Sequence, residues 1–445
     1  MRKREINLID GVIWKSILFF AMPLLIGNLF QQMYSTVDSY VVGNYVGTTA
    51  LASVGASTPI INVLIGFFMG LSAGAGVVIA QRYGARNLEG VKTGIHTAMA
   101  LTIFMTVVLT IIGVFVCDDI LRLIAVPDDI FQTSYLYLKI YFLGIGFTLL
   151  YNLGSGVLRA LGDSKRPIYF LIIASILNVI LDILFVKYLG MGVAGVAIAT
   201  MISQAVSSFL VLLVLLNLDY AIRLNIKKIA FDYPTLIKMI KIGLPTAIQQ
   251  SVISLSNVIV QSYINTFGSY VVAGYSAGLR IDGFIVLPVQ SINMSITTFV
   301  GQNIGAKKYD RVKKGARCAL IMLAIIIFVL CVFLYLFGEA ALALFDSTPE
   351  VVAAGRTLQL CFIPFYIILP IVQVYSGVLY GAGKSTIPMC LTIFNFVILR
   401  QIYLYIMVPI TGSLATIFYG WPITWITCAI MFLIYYHRVS WLPEE

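Results

Sequence analysis

The chain repeats itself at a fixed distance. Gln81-Arg82-Tyr83-Gly84-Ala85-Arg86 is matched by Gln302-Asn303-Ile304-Gly305-Ala306-Lys307, an offset of 221 residues, and Glu89, Val91, Lys92 and Gly94 are followed at that offset by Asp310, Val312, Lys313 and Gly315. The same offset carries Ser155-Gly156-Val157-Leu158 onto Ser376-Gly377-Val378-Leu379, Gly162 onto Gly383, Ser164 onto Ser385 and Pro167 onto Pro388. Pro23 maps onto Pro245 with a slip of one. Two homologous halves in a strongly apolar chain point to a transporter with its pathway between them.

Apolar residues make up 60% of the chain and charged ones 11%. Soluble domains carry about 25% charged residues, so an all-α polytopic membrane protein is expected. Twelve apolar segments reach spanning length, over 14–40, 50–79, 93–117, 131–155, 167–189, 193–216, 236–265, 270–299, 315–337, 352–380, 388–409 and 412–436. With the N-terminus in the cytoplasm, 23 of the 29 Lys and Arg residues fall inside, and only Arg122, Lys139, Lys187 and Arg356 fall outside. Both termini are then cytoplasmic, as in a multi-pass protein of the cell's inner membrane. The net charge of +10 expresses this bias and an attraction to anionic lipid heads. No compact basic domain suggests nucleic acid. The polar, basic stretch 217–235 reads as a cytoplasmic linker between a six-helix bundle at 1–216 and another at 236–445. Six is even, so both halves enter from the same side and the repeat is parallel.

Several decoys fall. Met1-Arg2-Lys3-Arg4 precedes an apolar run too long for a signal peptide. Gly381-Ala382-Gly383-Lys384-Ser385 resembles a phosphate loop but has Val378 where the pattern needs glycine. The six cysteines are scattered and read as apolar fillers, and the two histidines, His96 and His437, cannot build a metal centre with them. An intramembrane enzyme would need a paired catalytic set, which is absent here. A channel is disfavoured because its acids would recur in both halves.

Three acids lie well within the apolar segments: Asp38, Asp182 and Asp282. An ionisable group in hydrocarbon costs several kcal/mol and is a functional candidate. Asn178 precedes Asp182 by four residues and shares its helix face. Depth counting places Asp38, Asn178, Asp182, Tyr137 and Thr200 at one level in the outer half of the membrane, a set suited to a proton or a hard cation such as Na⁺. The second half has Leu399 and Tyr403 where the first has Asn178 and Asp182, so ion coupling is assigned to the first half. Arg280, Asp282 and Arg400 lie near mid-depth in the second half, with Gln250 and Gln261 among the polar groups of helix 7. An Arg400–Asp282 clamp is the favoured reading there, and substrate contact the other.

Together these motifs, with Tyr137-Leu138-Lys139-Ile140, Gly156 to Asp163 and Asn178-Val179-Ile180-Leu181-Asp182, resemble the multidrug and toxic compound extrusion (MATE) transporters, in particular the bacterial DinF-like branch. The resemblance covers essentially the whole chain. It implies two six-helix bundles forming a V around a central cavity, and export of organic cations or xenobiotics driven by inward H⁺ or Na⁺. It also implies ion coupling by Asp38, Asn178 and Asp182, with Thr200 and Tyr137 matching less closely. Some relatives of the NorM type carry an acid in helix 7, and this chain does not. The expectation is a monomeric antiporter of small organic cations, without a cofactor beyond its coupling ion. A flippase for lipid-linked oligosaccharides on the same fold is the alternative.

Overall fold

A computed structural model describes residues 7–41, 48–124 and 126–442, apart from the side chains of residues 34–41, 48–51 and 59. The described residues are all helix and turn. Twelve rods follow one another: α1 Ile13–Val41, α2 Thr48–Gly84, α3 Leu88–Leu123, α4 Asp128–Ala160, α5 Lys165–Tyr188, α6 Gly192–Leu216, α7 Tyr233–Asn265, α8 Ser269–Gly305, α9 Tyr309–Ala343, α10 Pro349–Gly381, α11 Thr386–Thr411 and α12 Leu414–Arg438. Among the described residues, eleven are long and apolar enough to cross a membrane. The other, α7, has the length at 33 residues. Its apolar character is diluted by Gln249, Gln250, Ser254, Ser256, Asn257 and Gln261.

A helix occupies each of the twelve expected apolar segments, and eleven of them meet the length and apolarity of a membrane span among the described residues. Most rods run past the apolar segments, α2 by five residues to Gly84 and α9 by six at each end. Hydropathy marks only the part in hydrocarbon, whereas the helix continues through polar residues that still satisfy its backbone.

The repeat is visible in the turns. Arg86 and Lys307 both adopt left-handed conformations, at φ 57 and 56, and so do Gly162 and Gly383, at φ 94 and 79. The closing bonds match as well. Asn87 N–H donates to Arg82 O at 3.0 Å and Lys308 N–H to Asn303 O at 2.8 Å; Asp163 N–H donates to Leu158 O and Lys384 N–H to Leu379 O, both at 2.9 Å. These are helix ends closed by a left-handed residue and a six-to-one hydrogen bond. The Gly381–Ser385 stretch is therefore a helix-connecting turn, as its first-half counterpart indicates.

The chain forms two compact units. One holds Met22–Leu244; the other holds Asn7–Ala21 together with Pro245 onward. The boundaries fall inside α1 and α7, next to Pro23 and at Pro245. Thus the start of α1 packs with the second unit and the start of α7 with the first.

In the first unit α4 is central, against α2, α3 and α6, with α5 on α6. Its core joins Ile79, Ile95, Val157, Val211 and Met239. The start of α7 crosses α2 backbone to backbone: a Cβ on Gly74 would lie 2.5 Å from both Met239 O and Gly243 N. The linker lies folded onto this unit. Leu224 is buried, its N–H donates to Leu215 O at 3.0 Å, and Asn225 N–H donates to His96 Nε2 at 3.1 Å.

In the second unit α10 takes the position of α4, against α8, α9 and α12, with α11 on α12. The entering segment is held by its carbonyls. Asn303 Nδ2 donates to Leu8 O at 3.1 Å, Ser295 Oγ to Ile17 O at 2.9 Å, and the Arg311 guanidinium to Leu8 O and Gly11 O. At the repeat offset Ser295 corresponds to Gly74, so one groove is served twice.

Candidate functional site

Three of the five residues expected to carry ion coupling meet inside the first unit. Asp182 closes the α-helical part of α5, and a π-helical turn, Ile183–Tyr188, follows it directly. Such turns widen the helix and re-aim side chains, often at functional positions. Asp182 is 0% exposed and Asn178, one turn earlier, 1%. Thr200 faces them from α6. With the Asn178 amide nitrogen toward the carboxylate, it donates to Asp182 Oδ2 at 2.8 Å while its oxygen accepts from Thr200 N–H at 3.1 Å. The reversed amide would place two oxygens face to face, so hydrogen-bonding capacity selects this orientation.

Tyr137 is also buried, in an apolar cluster with Val186, Val193 and Val196. It therefore lies against the π-helical turn that follows Asp182. Asp38 sits on α1, and its side chain lies outside the described residues. The oxygens of Asp182, Asn178 and Thr200 are hard donors, suited to a proton or an alkali cation rather than a soft metal. Asn178 holds the carboxylate by a neutral amide.

The second unit departs from expectation. No ion pair joins Arg400 to Asp282 among the described residues, which corrects the expected clamp. Each group is engaged elsewhere. Tyr366 on α10 donates its hydroxyl hydrogen to Asp282 Oδ1. Arg400 Nη2 donates to Ser256 Oγ at 2.6 Å and Asn257 Oδ1 at 2.9 Å, both on α7. The cause is helix adjacency: α8 packs on α9 and α10, whereas α11 packs on α12. Trp421 of α12 lies over the guanidinium, 5.2 Å from ring centre to Cζ.

The remaining second-half candidates do not gather around Arg400. Arg280 and Gln250 are exposed. Gln261 is half-buried and donates to Asn265 Oδ1 at 2.8 Å, one turn along its own helix. Gln401 donates to Ser256 Oγ at 2.9 Å and so joins the Arg400 network. Tyr366 and Trp421 were not singled out from the sequence. For Trp421 a signal existed, because the repeat offset maps Thr200 onto it.

The duplicated helical fold has counterparts among known proteins. The MatE family model matches residues 23–184 and again 245–406, once per repeat. The chain is similar to two proteins of Bacillus subtilis (strain 168). The probable multidrug resistance protein YpnP is 30% identical over 397 residues, covering 88% of this chain and 87% of that one. The probable multidrug resistance protein YoeA is 29% identical over 393 residues, covering 86% and 84%. A crystal structure of MATE in complex with MaL6 aligns over 99% of both chains, with a TM-score of 0.92 at 26% identity. The duplicated helical fold and this match across both halves lead to one assignment: the chain belongs to the MatE family of multidrug and toxic compound extrusion transporters.

Proposed function

We propose that this chain exports organic cations and related xenobiotics in exchange for inward H⁺ or Na⁺, with Asp38 and Asp182 carrying the coupling ion and Asn178, Thr200 and Tyr137 shaping its site. The observation that carries the reading is the burial of Asp182, 0% exposed, on a neutral amide. A carboxylate buried in a medium of low dielectric is costly to keep charged, which favours taking up a cation. The names of the Bacillus relatives support a drug substrate. The basic bias of the loops supports cytoplasmic termini in the cell's inner membrane.

Exchange follows from competition. A carboxylate neutralised by H⁺ or Na⁺ loses its attraction for an organic cation, so the two cations select different states of the protein. One proton moving down about 100 mV gains about 2.3 kcal/mol, and one pH unit adds about 1.4 kcal/mol. That supports a gradient of roughly 500-fold for a neutral solute, since 1.4 kcal/mol is tenfold. A monovalent cation exchanged one for one forfeits the voltage part and reaches only about tenfold per pH unit.

The test uses liposomes loaded with a fluorescent organic cation and clamped at zero voltage. An imposed pH or Na⁺ gradient is expected to drive the cation against its own gradient. Movement of a lipid-linked sugar, with no cation movement under either gradient, would replace this reading with the flippase.

A further inference from the structure

The second unit buries a guanidinium that its own residues leave incompletely met. Arg400 is 2% exposed. Its two hydrogen-bond partners, Ser256 and Asn257, are neutral, and its Nε is buried without an acceptor. Ser256 has no capacity left: it accepts from Arg400 and Gln401, and donates to Phe396 O at 2.8 Å. Among the described residues no carboxylate lies at ion-pair distance from Arg400. The contact with Trp421 offsets part of the cost of burying the charge, not all of it.

The repeat gives an independent argument. At the offset of 221 residues Thr200 becomes Trp421, Asn178 becomes Leu399 and Asp182 becomes Tyr403. The helix pair that carries a buried carboxylate in the first unit therefore carries a buried guanidinium in the second. π-helical turns adjoin both: Ile183–Tyr188 follows Asp182, and Phe394–Leu399 precedes Arg400. Around Trp421 the wall is aromatic, with Phe362 at 5.6 Å and Tyr275 at 6.3 Å between ring centres. Trp421 itself is only half-buried.

We infer that Arg400 is an anion-binding site for aromatic solutes. It receives a carboxylate, sulfonate or phosphate on its Nε while the solute's ring stacks on the half-buried Trp421. The inference rests on the transport reading above, and it names the place where the anionic group of an aromatic solute would be held. Arginine suits this task because its Nε–H can donate a charge-assisted hydrogen bond to an oxyanion while Nη2 stays on Ser256 and Asn257.

The test measures equilibrium binding to the full chain in phosphatidylcholine nanodiscs, with no ion gradient. The probes are 1-pyrenebutyrate, its methyl ester and 4-(1-pyrenyl)butylamine. The carboxylate is expected to bind at least tenfold more tightly than the ester. Arg400→Gln is expected to remove that preference and change binding of the amine less than twofold. Should Arg400→Gln fail to fold, Arg400→Lys keeps the charge without the Nε donor and is expected to lose three- to tenfold in carboxylate affinity. Equal affinities for carboxylate and ester in the native chain, or an undiminished preference in either variant, would overturn the site. Replacing a third of the lipid with phosphatidylglycerol is expected to leave carboxylate binding unchanged; abolition of the preference would assign Arg400 to a lipid headgroup instead. Because the assay has no gradient, loss of exchange in liposomes with the carboxylate preference intact would defeat the antiport reading and leave this one standing.

Discussion

Arg82, in the last turn of α2, donates from Nη2 to Thr235 Oγ1 at 2.6 Å, and so fastens the first turn of α7 to the end of α2. A second nitrogen of the same guanidinium donates to Gly90 O at 2.8 Å. Thr235 completes the turn by bonding to Asp232. Arg82→Ala is expected to lower stability by about 1.5 kcal/mol, as a hydrogen bond from a charged donor contributes about 1.5–3 kcal/mol. The measurement is the thermal midpoint in detergent, and an unchanged midpoint would show the fastening to be idle. Hydrogen bonds from Thr235 hold the Asp232 carboxyl below the usual carboxylate range. A depressed folded value means that its contribution is complete above the ordinary carboxylate pKa and fades only as pH falls through the lower, folded one. The effect of Arg82→Ala should therefore be the same at pH 6 and pH 8.

The linker depends on one histidine tautomer. His96 is buried; its Nδ1 lies 2.7 Å from Lys92 O and its Nε2 accepts from Asn225 N–H. The ring must carry its hydrogen on Nδ1. His96→Phe keeps the ring and removes the acceptor, leaving the Asn225 amide without one, at a cost of about 1–3 kcal/mol. Hydrogen exchange of residues 217–232 is expected to quicken by at least tenfold. Exchange at the native rate would mean that the linker is held by Leu224 and its neighbours alone.

Asp182→Asn and Asp38→Asn should each abolish gradient-driven export while the protein still inserts and binds substrate. Asparagine keeps the size of aspartate but cannot release or take up the coupling charge. Export at native rates by both variants, measured in liposomes, would remove these acids from the coupling role.

Two glycines are expected to tolerate no side chain, for different reasons. At Gly74 an added methyl meets the backbone of α7, which cannot step aside, so Gly74→Ala should cost about 1–3 kcal/mol. At Gly162 the strain is in the turn, with φ 94, and alanine should cost about 1–2 kcal/mol. Expression level and thermal midpoint check both, and a neutral Gly74→Ala would mean that the α2–α7 crossing is looser than described.

Orientation has a direct check. In a chain whose six native cysteines are replaced by alanine, Asp128→Cys and Ser347→Cys should react with an impermeant reagent in intact cells. Lys227→Cys should react only after the cells are opened. Labelling of position 227 in sealed cells would invert the topology.

The twelve spans were legible because hydrocarbon selects long apolar runs, and the duplication because its turn residues are kept. The rod ends were not legible: Gln81-Arg82-Tyr83 carries no apolar signal, yet it completes α2. The Asn178–Asp182 pair could be read from its four-residue spacing. Its contact with Thr200 could not, since no spacing says which faces of α5 and α6 meet. Arg400 shows how charge alone misleads. Opposite signs suggested Asp282 as its partner, but nearness decided, and Ser256 and Asn257 were nearer. The assignment of α1 and α7 to two units each is also absent from hydropathy, because an apolar helix reads the same whichever neighbours it has.

That divided membership has a corollary for either half alone. Neither half of this chain owns all of its own packing: a polypeptide ending at residue 216 would keep the α2 groove but lack the stretch that fills it, and one starting at residue 217 would lack Asn7–Ala21. A polypeptide of a single repeat would meet the same shortage, which a second copy could relieve by lending its first or last stretch. In one chain, that mutual loan needs no assembly step.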